Sequence, residues 1–199
     1  QKNIVETCKA KNTLVCLPTG TGKTKAAILV AVERLNKYSD SKVLVCSPTK
    51  PLASQICKEF KECTTLPPEE INLLTGQVNP EQRAEIWSRS RVIVATPQTI
   101  ESDLEKKRCS LENVSLLGID ECHRSKENFA NTTVAKIYNE TAKNPRILGL
   151  TASPGSSKEI IDLVCQNLFI EAVEVRTEED EDIKEYIQEK NMEYIKVDL

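Results

Sequence analysis

The sequence predicts an α/β domain, a mainly parallel sheet with helices on both faces, and three features carry that expectation. Short, continuous apolar runs alternate with longer stretches of helical periodicity. Each run stops at a polar or proline-bearing segment. The first of them leads into a glycine-rich turn that opens an apolar helix. Runs that are apolar at every position suit strands covered on both faces, as parallel strands are, whereas strands with one wet face alternate.

In chain order, residues 14–17 form the first run, and 25–35 is apolar over most of its circumference, as expected of a helix packed on a sheet. That helix should end near Tyr38-Ser39-Asp40. Residues 42–46 are a second run, stopped by Ser47-Pro48; Thr49 can cap a helix with Pro51 in its first turn, running through Leu52, Ile56 and Phe60. Beyond the Pro67-Pro68 loop, 71–74 predicts a strand, and Asn79-Pro80-Glu81 starts a helix that holds Ile86 and Trp87, with Trp87 in the core. Residues 91–95 and 116–119 are further strands, ending at Thr96-Pro97 and at Asp120-Glu121-Cys122-His123. A helix over 128–142, a strand over 146–150 and a helix over 158–168 complete the pattern. Lys106-Lys107-Arg108 reads as a solvated helix end that could also meet a nucleic-acid backbone.

A chain of 199 residues can bury one good core, so one domain is expected. No run of about 18 apolar residues predicts a membrane-spanning helix, and the N-terminus lacks the order of a signal peptide, which points to an intracellular protein. The sequence opens on Gln1, without a starting methionine, and reads as an excised piece. Net charge is −3, but it is unevenly placed: residues 171–199 carry 11 acids and 4 bases, leaving a mildly basic body that is permissive for a polyanionic partner. The eight cysteines include no C-x-x-C pair, and several lie inside apolar runs; they read as small buried hydrophobes, with no zinc expected. Cys8 with Cys16, or Cys57 with Cys63, could pair in an unusual redox setting.

The stretch 12–24 reads NTLVCLPTGTGKT. Glycines at 20 and 22 let backbone N–H groups close around an anion, while the helix beginning beside them aims its positive dipole end at the same point. In a phosphate-binding loop of this kind Lys23 reaches the β and γ phosphates and the Thr24 hydroxyl ligates Mg²⁺. One position departs from the GxxxxGK[ST] pattern: Leu17 stands where the first glycine is expected.

Asp120 directly follows an apolar strand, where its carboxylate can face the same metal, and Glu121 is placed to orient or deprotonate an attacking water. Alone, the pair also reads as an acidic turn. His123, the single histidine, lies just beyond it and is expected to relay nucleotide state; the alternative is an ordinary packed or surface residue. Ligands of open parallel sheets bind beyond the carboxyl ends of the strands, so these motifs should converge on one edge.

PTGTGKT (18–24), DECH (120–123) and TAS (151–153) resemble motifs I, II and III of superfamily 2 helicases and translocases. SPTKPLASQ (47–55) resembles motif Ia, LLTG (73–76) the small glycine motif after it, and VATPQTI (94–100) motif Ib. ATPQTIESDL, SLENVSLLGIDECHR, LGLTASPGS and the tail from Arg176 are similar to the group that includes archaeal Hef and the Fanconi anaemia M translocase, which act on branched DNA.

The resemblance implies a RecA-like (P-loop NTPase) fold and an ATP-dependent helicase, cytoplasmic or nucleoid-associated. Pro18, Thr19, Gly20, Thr21, Gly22, Lys23 and Thr24 would hold ATP, Gln1 would read adenine, and Thr24 and Asp120 would hold Mg²⁺. Glu121 would be the catalytic base beside Asp120 and Lys23, with His123, Thr151 and Ser153 coupling hydrolysis to movement. Thr49, Lys50, Gly76, Thr96 and Gln98 would touch the backbone of forked or branched DNA. Ser47-Pro48-Thr49 and Ala95-Thr96-Pro97 also read, alone, as ordinary caps and turns.

On this resemblance residues 1–170 are the first RecA-like domain, and 171–199 an acidic connector ending in the alternation Ile195, Val197, Leu199 toward a second such domain in the same polypeptide. Without that domain's arginine the piece should hydrolyse ATP poorly. DECH occurs also in innate-immune RNA helicases, so an RNA helicase or double-stranded RNA sensor is the alternative; a binding module without hydrolysis is another.

Overall fold

The computed structural model describes residues 2–18, 20, 22–125, 129–152 and 158–176. Its strands are β1 (Thr13–Cys16), β2 (Lys42–Cys46), β3 (Ile71–Leu74), β4 (Val92–Ala95), β5 (Val114–Ile119), β6 (Ile147–Thr151) and β7 (Ala172–Val175). They form one sheet in the order β3-β4-β2-β5-β6-β1-β7, and every neighbouring pair is parallel. The helices are α1 (Lys2–Ala10), α2 (Lys23–Lys37), α3 (Lys50–Cys63), α4 (Pro80–Arg89), α5 (Pro97–Glu105), α6 (Ala130–Thr141) and α7 (Lys158–Asn167).

The apolar runs are strands buried on both faces, and alternate residues serve two cores. Val15, Val43, Val45, Val92 and Val94 pack with Ile4, Val30, Leu35, Ile56 and Phe60, which places α1, α2 and α3 on one face. Leu14, Cys16, Leu44, Cys46, Ile93 and Ala95 pack with Trp87, Ile100, Tyr138, Val164 and Leu168, which places α4 to α7 on the other. Trp87 is a core residue, 7% exposed. Five of the eight free cysteines are buried and fill space as small apolar groups. Burial pushes the Cys46 thiol up to about 12 and that of Cys8 to about 11, so both stay protonated and unreactive at neutral pH. No helix among the described residues is long and apolar enough to cross a membrane.

Two elements differ from the sequence expectation. Helix α1 precedes the first strand, and β7 lies within the span expected as a connector, so the sheet runs past residue 170. Asn12 explains how so short a final strand is held. Its main-chain oxygen accepts from Glu171 N at 2.8 Å and Ala172 N at 3.1 Å. Its side chain donates to Phe169 O at 3.0 Å and accepts from Ile147 N at 2.9 Å. One asparagine therefore fastens β1, β6 and the entry to β7. Thr7 on α1 adds a hydrogen bond of 2.7 Å to Glu174 on β7. The alternation Ile195, Val197, Leu199 lies outside the described residues.

Between α4 and α5 an ion pair is buried almost completely. Arg83 donates through Nε to Asp103 Oδ2 and through Nη2 to Asp103 Oδ1, each at 2.7 Å, and through Nη1 to Val78 O at 2.6 Å. The hydrogen bonds to Asp103 raise the Arg83 pKa, so the guanidinium stays charged where it is. A pair of this kind contributes little net stability against an apolar replacement, but removing one partner strands the other charge. Asp103→Ala should destabilise the domain by roughly 3–5 kcal/mol in urea unfolding. The double change Arg83→Met with Asp103→Leu should recover most of that loss.

Candidate functional site

All the described motif residues lie at the carboxyl edge of the sheet. Strand β1 ends at Cys16, and Leu17 behind it is fully buried, with its N–H donating to Thr151 O at 3.1 Å. At the position where the phosphate-loop pattern has its first glycine, the chain here is still paired to β6, so an ordinary apolar residue fits. Gly20 and Gly22 have φ of 82° and 96°, left-handed values that a β-carbon disfavours. Gly22 is the N-cap of α2 and brings no side-chain oxygen to the first turn, so its N–H groups remain available to an anion. Lys23 and Thr24 are half-buried in that turn. Gln1, Thr19, Thr21 and Ser153 lie outside the described residues.

Strand β6 separates β1 from β5, and the acidic pair follows β5. The Asp120 N–H donates to Cys46 O at 2.8 Å, and its Oδ2 accepts from the Ser47 hydroxyl at 2.9 Å. Burial raises the Asp120 carboxyl above its ordinary range, and the Glu121 charge adds to this; the Ser47 hydrogen bond and the nearby Lys23 ammonium oppose it. Glu121 is left-handed, φ 50° and ψ 43°, a conformation that costs roughly 1–2 kcal/mol for a residue with a β-carbon. The chain then enters a 3₁₀ turn, Cys122–Arg124. Cys122 is fully buried against β6, where a β-carbon on Gly149 would lie only 3.1 Å from its sulfur. His123 Nδ1 shares a hydrogen bond of 2.9 Å with Thr151 Oγ1 and lies 3.3 Å from Glu121 Oε2. Glu121, His123, Thr151 and Leu17 thus form one connected path.

The second group sits at the ends of β2, β3 and β4. Thr49 is the N-cap of α3 and accepts from Leu52 N at 3.5 Å, while Lys50 Nζ donates to Gln77 Oε1. Gly76 is exposed, with open space where a β-carbon would stand. Thr96 is the N-cap of α5; its N–H donates to Leu74 O at 3.3 Å and its hydroxyl pairs with Thr99 at 2.8 Å. Gln98 is exposed in the first turn of α5. Two helix N-termini therefore stand side by side, since β2 and β4 are neighbours. Lys106, Lys107 and Arg108 lie at the other end of α5, with Arg108 3.4 Å from Asp103.

Ser47, placed by sequence only within motif Ia, and Gly149 are residues whose individual parts the sequence did not name. Both act across strand pairs, β2 with β5 and β6 with the turn after β5, and only the sheet order reveals those neighbours. The donor set also bears on a cofactor. Among the described residues no cluster of three or more His, Cys, Asp or Glu side chains is arranged to hold a metal ion. One carboxylate and one hydroxyl beside an anion seat fit a hard, oxygen-seeking cation that takes its remaining ligands from water and phosphate, as Mg²⁺ does.

The family model for the DEAD/DEAH box helicase matches residues 1–161. A relative from Methanocaldococcus jannaschii, provisionally named an ATP-dependent RNA helicase, is 41% identical over 199 residues, all of this chain and 25% of that protein. The ATP-dependent DNA helicase mph1 of Sclerotinia sclerotiorum is 39% identical over 198 residues, covering 16% of its length. Among solved structures, the helicase domain of Pyrococcus furiosus Hef superposes with a TM-score of 0.92 at 48% identity, over all of this chain and 41% of that one. The chain thus spans a quarter or less of these two curated relatives. The RecA-like sheet and the match over residues 1–161 lead to one assignment: the chain belongs to the DEAD/DEAH box helicase family.

Proposed function

We propose that this chain is the ATP-binding motor domain of an ATP-dependent DNA helicase or translocase that acts on forked or branched DNA in replication-fork repair. One observation carries the reading: the glycine-rich turn, the acidic pair and Thr151 meet on one sheet edge with two helix N-termini beside them, in a chain similar to proteins named ATP-dependent DNA helicases.

In this reading the α2 N-terminus, Pro18, Thr19, Gly20, Thr21, Gly22 and Lys23 bind the triphosphate, and Gln1 reads adenine. Thr24 and Asp120 hold Mg²⁺, which when bound neutralises charge on the phosphate oxygens. Glu121 orients the attacking water and takes its proton. His123, Thr151 and Ser153 pass the state of that site to a second RecA-like domain of the same polypeptide. That domain supplies the arginine that stabilises the γ-phosphate, so residues 1–199 alone hydrolyse ATP slowly. Thr49, Lys50, Gly76, Thr96 and Gln98 grip backbone phosphates, which makes binding sequence-independent and salt-sensitive. The protein works inside the cell, where its DNA is. A second reading, an RNA helicase or double-stranded RNA sensor, is favoured by the name of the M. jannaschii relative.

The two readings separate in the ATPase rate of the full-length protein with forked DNA, linear duplex DNA or double-stranded RNA. Forked DNA should stimulate most, and stimulation by RNA alone would move the protein to the RNA branch. Glu121→Gln should lower the stimulated rate by about 10²–10⁴ with nucleotide binding retained, whereas Lys23→Ala should lose nucleotide binding in a fluorescent-ADP titration.

Asp120 links function to stability. Its folded pKa is raised, so the folded state binds the proton more tightly, and stability falls as pH rises from the ordinary carboxylate range through the raised value. In Mg²⁺-free buffer, Asp120→Asn should therefore melt above the wild type at neutral pH. The difference should vanish when pH drops below the ordinary Asp range.

A further inference from the structure

Ser47 stands at the junction of the two groups of motif residues. It is the first residue after β2 and is fully buried. Its hydroxyl donates to Asp120 Oδ2 at 2.9 Å, and its N–H donates to Ala95 O at 2.9 Å. Asp120 N donates in turn to Cys46 O, one residue before Ser47, at 2.8 Å. The carboxylate is therefore suspended from the end of β2, and that end is fastened to the end of β4.

The same two strand ends lead directly into the helix N-termini. Thr49, two residues after Ser47, caps α3, and Thr96, next after Ala95, caps α5. Pro48 lies between Ser47 and Thr49; its ring fixes its own φ and restricts the backbone of Ser47 before it. A displacement at the α3 N-terminus thus crosses a stiff two-residue link before it reaches the hydroxyl. That hydroxyl holds Oδ2 and so helps to set the rotation of the carboxylate.

We propose that Ser47 is a positioning residue that couples phosphate occupancy at the α3 and α5 N-termini to the placement of the Asp120 carboxylate. The proposal rests on the helicase reading above. In it, nucleic acid raises hydrolysis partly by tightening the metal site, and the hydroxyl of Ser47 is the link. A side chain that merely filled space would tolerate loss of one oxygen atom with the metal affinity and its response to nucleic acid unchanged.

The test uses the full-length protein with ADP and Mn²⁺, following free Mn²⁺ by electron paramagnetic resonance with and without forked duplex DNA, beside thermal melting of each variant. Wild type should bind Mn²⁺ more tightly when DNA is added. Ser47→Ala should bind it about 10–100-fold more weakly, the usual effect of losing a group that orients a metal ligand, and should lose the response to DNA. Ser47→Cys, close in size but a weaker donor, should fall between. Ser47→Ala with wild-type affinity, or with weakened affinity but an intact response to DNA, overturns the proposal. So does a wild type whose ATPase is stimulated by DNA while its Mn²⁺ affinity is not, an outcome that leaves the motor reading standing. A wild type whose ATPase no nucleic acid stimulates sinks the motor reading and the proposal together.

Discussion

The parallel register that seats β6 between β1 and β5 is the constraint on which the site depends. Cys16 lies beside Thr151, whereas Ile119 lies beside Gly149, two residues earlier on β6, so the acidic pair that follows β5 comes near the height at which β1 and β6 end. Two strand spacings, about 10 Å in all, separate the phosphate loop from the acidic pair. That gap has the scale of a phosphate chain and a small cation. Thr151 occupies its middle, bonded through its main-chain oxygen to Leu17 and through its hydroxyl to His123. A register slip of one residue would turn Thr151 to the opposite face and break both contacts.

Around that edge the chain accepts local costs that the rest of the fold offsets. Asp120 is held partly out of water, Glu121 occupies a left-handed conformation, and the phosphate loop uses glycines with positive φ. Each of these weakens folding, and all three fall on the one edge where the motifs meet. The compensation lies below, in strands buried on both faces between two apolar layers. The opposite edge, where Asn12 joins β1, β6 and the entry to β7, carries a hydrogen-bonded clasp instead.

The strands and their polar ends were legible in the sequence because a doubly buried strand writes itself as an unbroken apolar run, and a phosphate turn as closely spaced glycines. Residues 42–46 and 71–74 fall on β2 and β3 as expected. Helix α6 begins at Ala130 and ends at Thr141, inside the expected 128–142. Strand β7 was not legible. Its Val173 and Val175 stay 45% and 46% exposed at the sheet edge, and the acids around it made the span look like a solvated connector. Helix α1 is short, with its apolar residues confined to one face, and only its packing on α2 and β1 gives it a role. The Ser47–Asp120 bond spans 73 residues, and the Arg83–Asp103 pair joins two separate helices. Local pattern carries no trace of either, since both arise from which strands and helices become neighbours.

The close approach of Cys122 to Gly149 has a consequence for how sequences of this kind can vary. The third position of the acidic tetrapeptide faces the main chain of β6, where a β-carbon on Gly149 would crowd it at 3.1 Å. Positions 122 and 149 are therefore one steric unit divided between two segments. Enlarging either residue would push the 3₁₀ turn outward and carry Glu121 and His123 with it. Homologues that place a bulkier side chain at one position should be found only with a compensating backbone shift at the other. The freedom of the tetrapeptide to diversify thus lies mainly at its last residue, the half-buried His123, which meets β6 through the Thr151 hydroxyl and not through close packing.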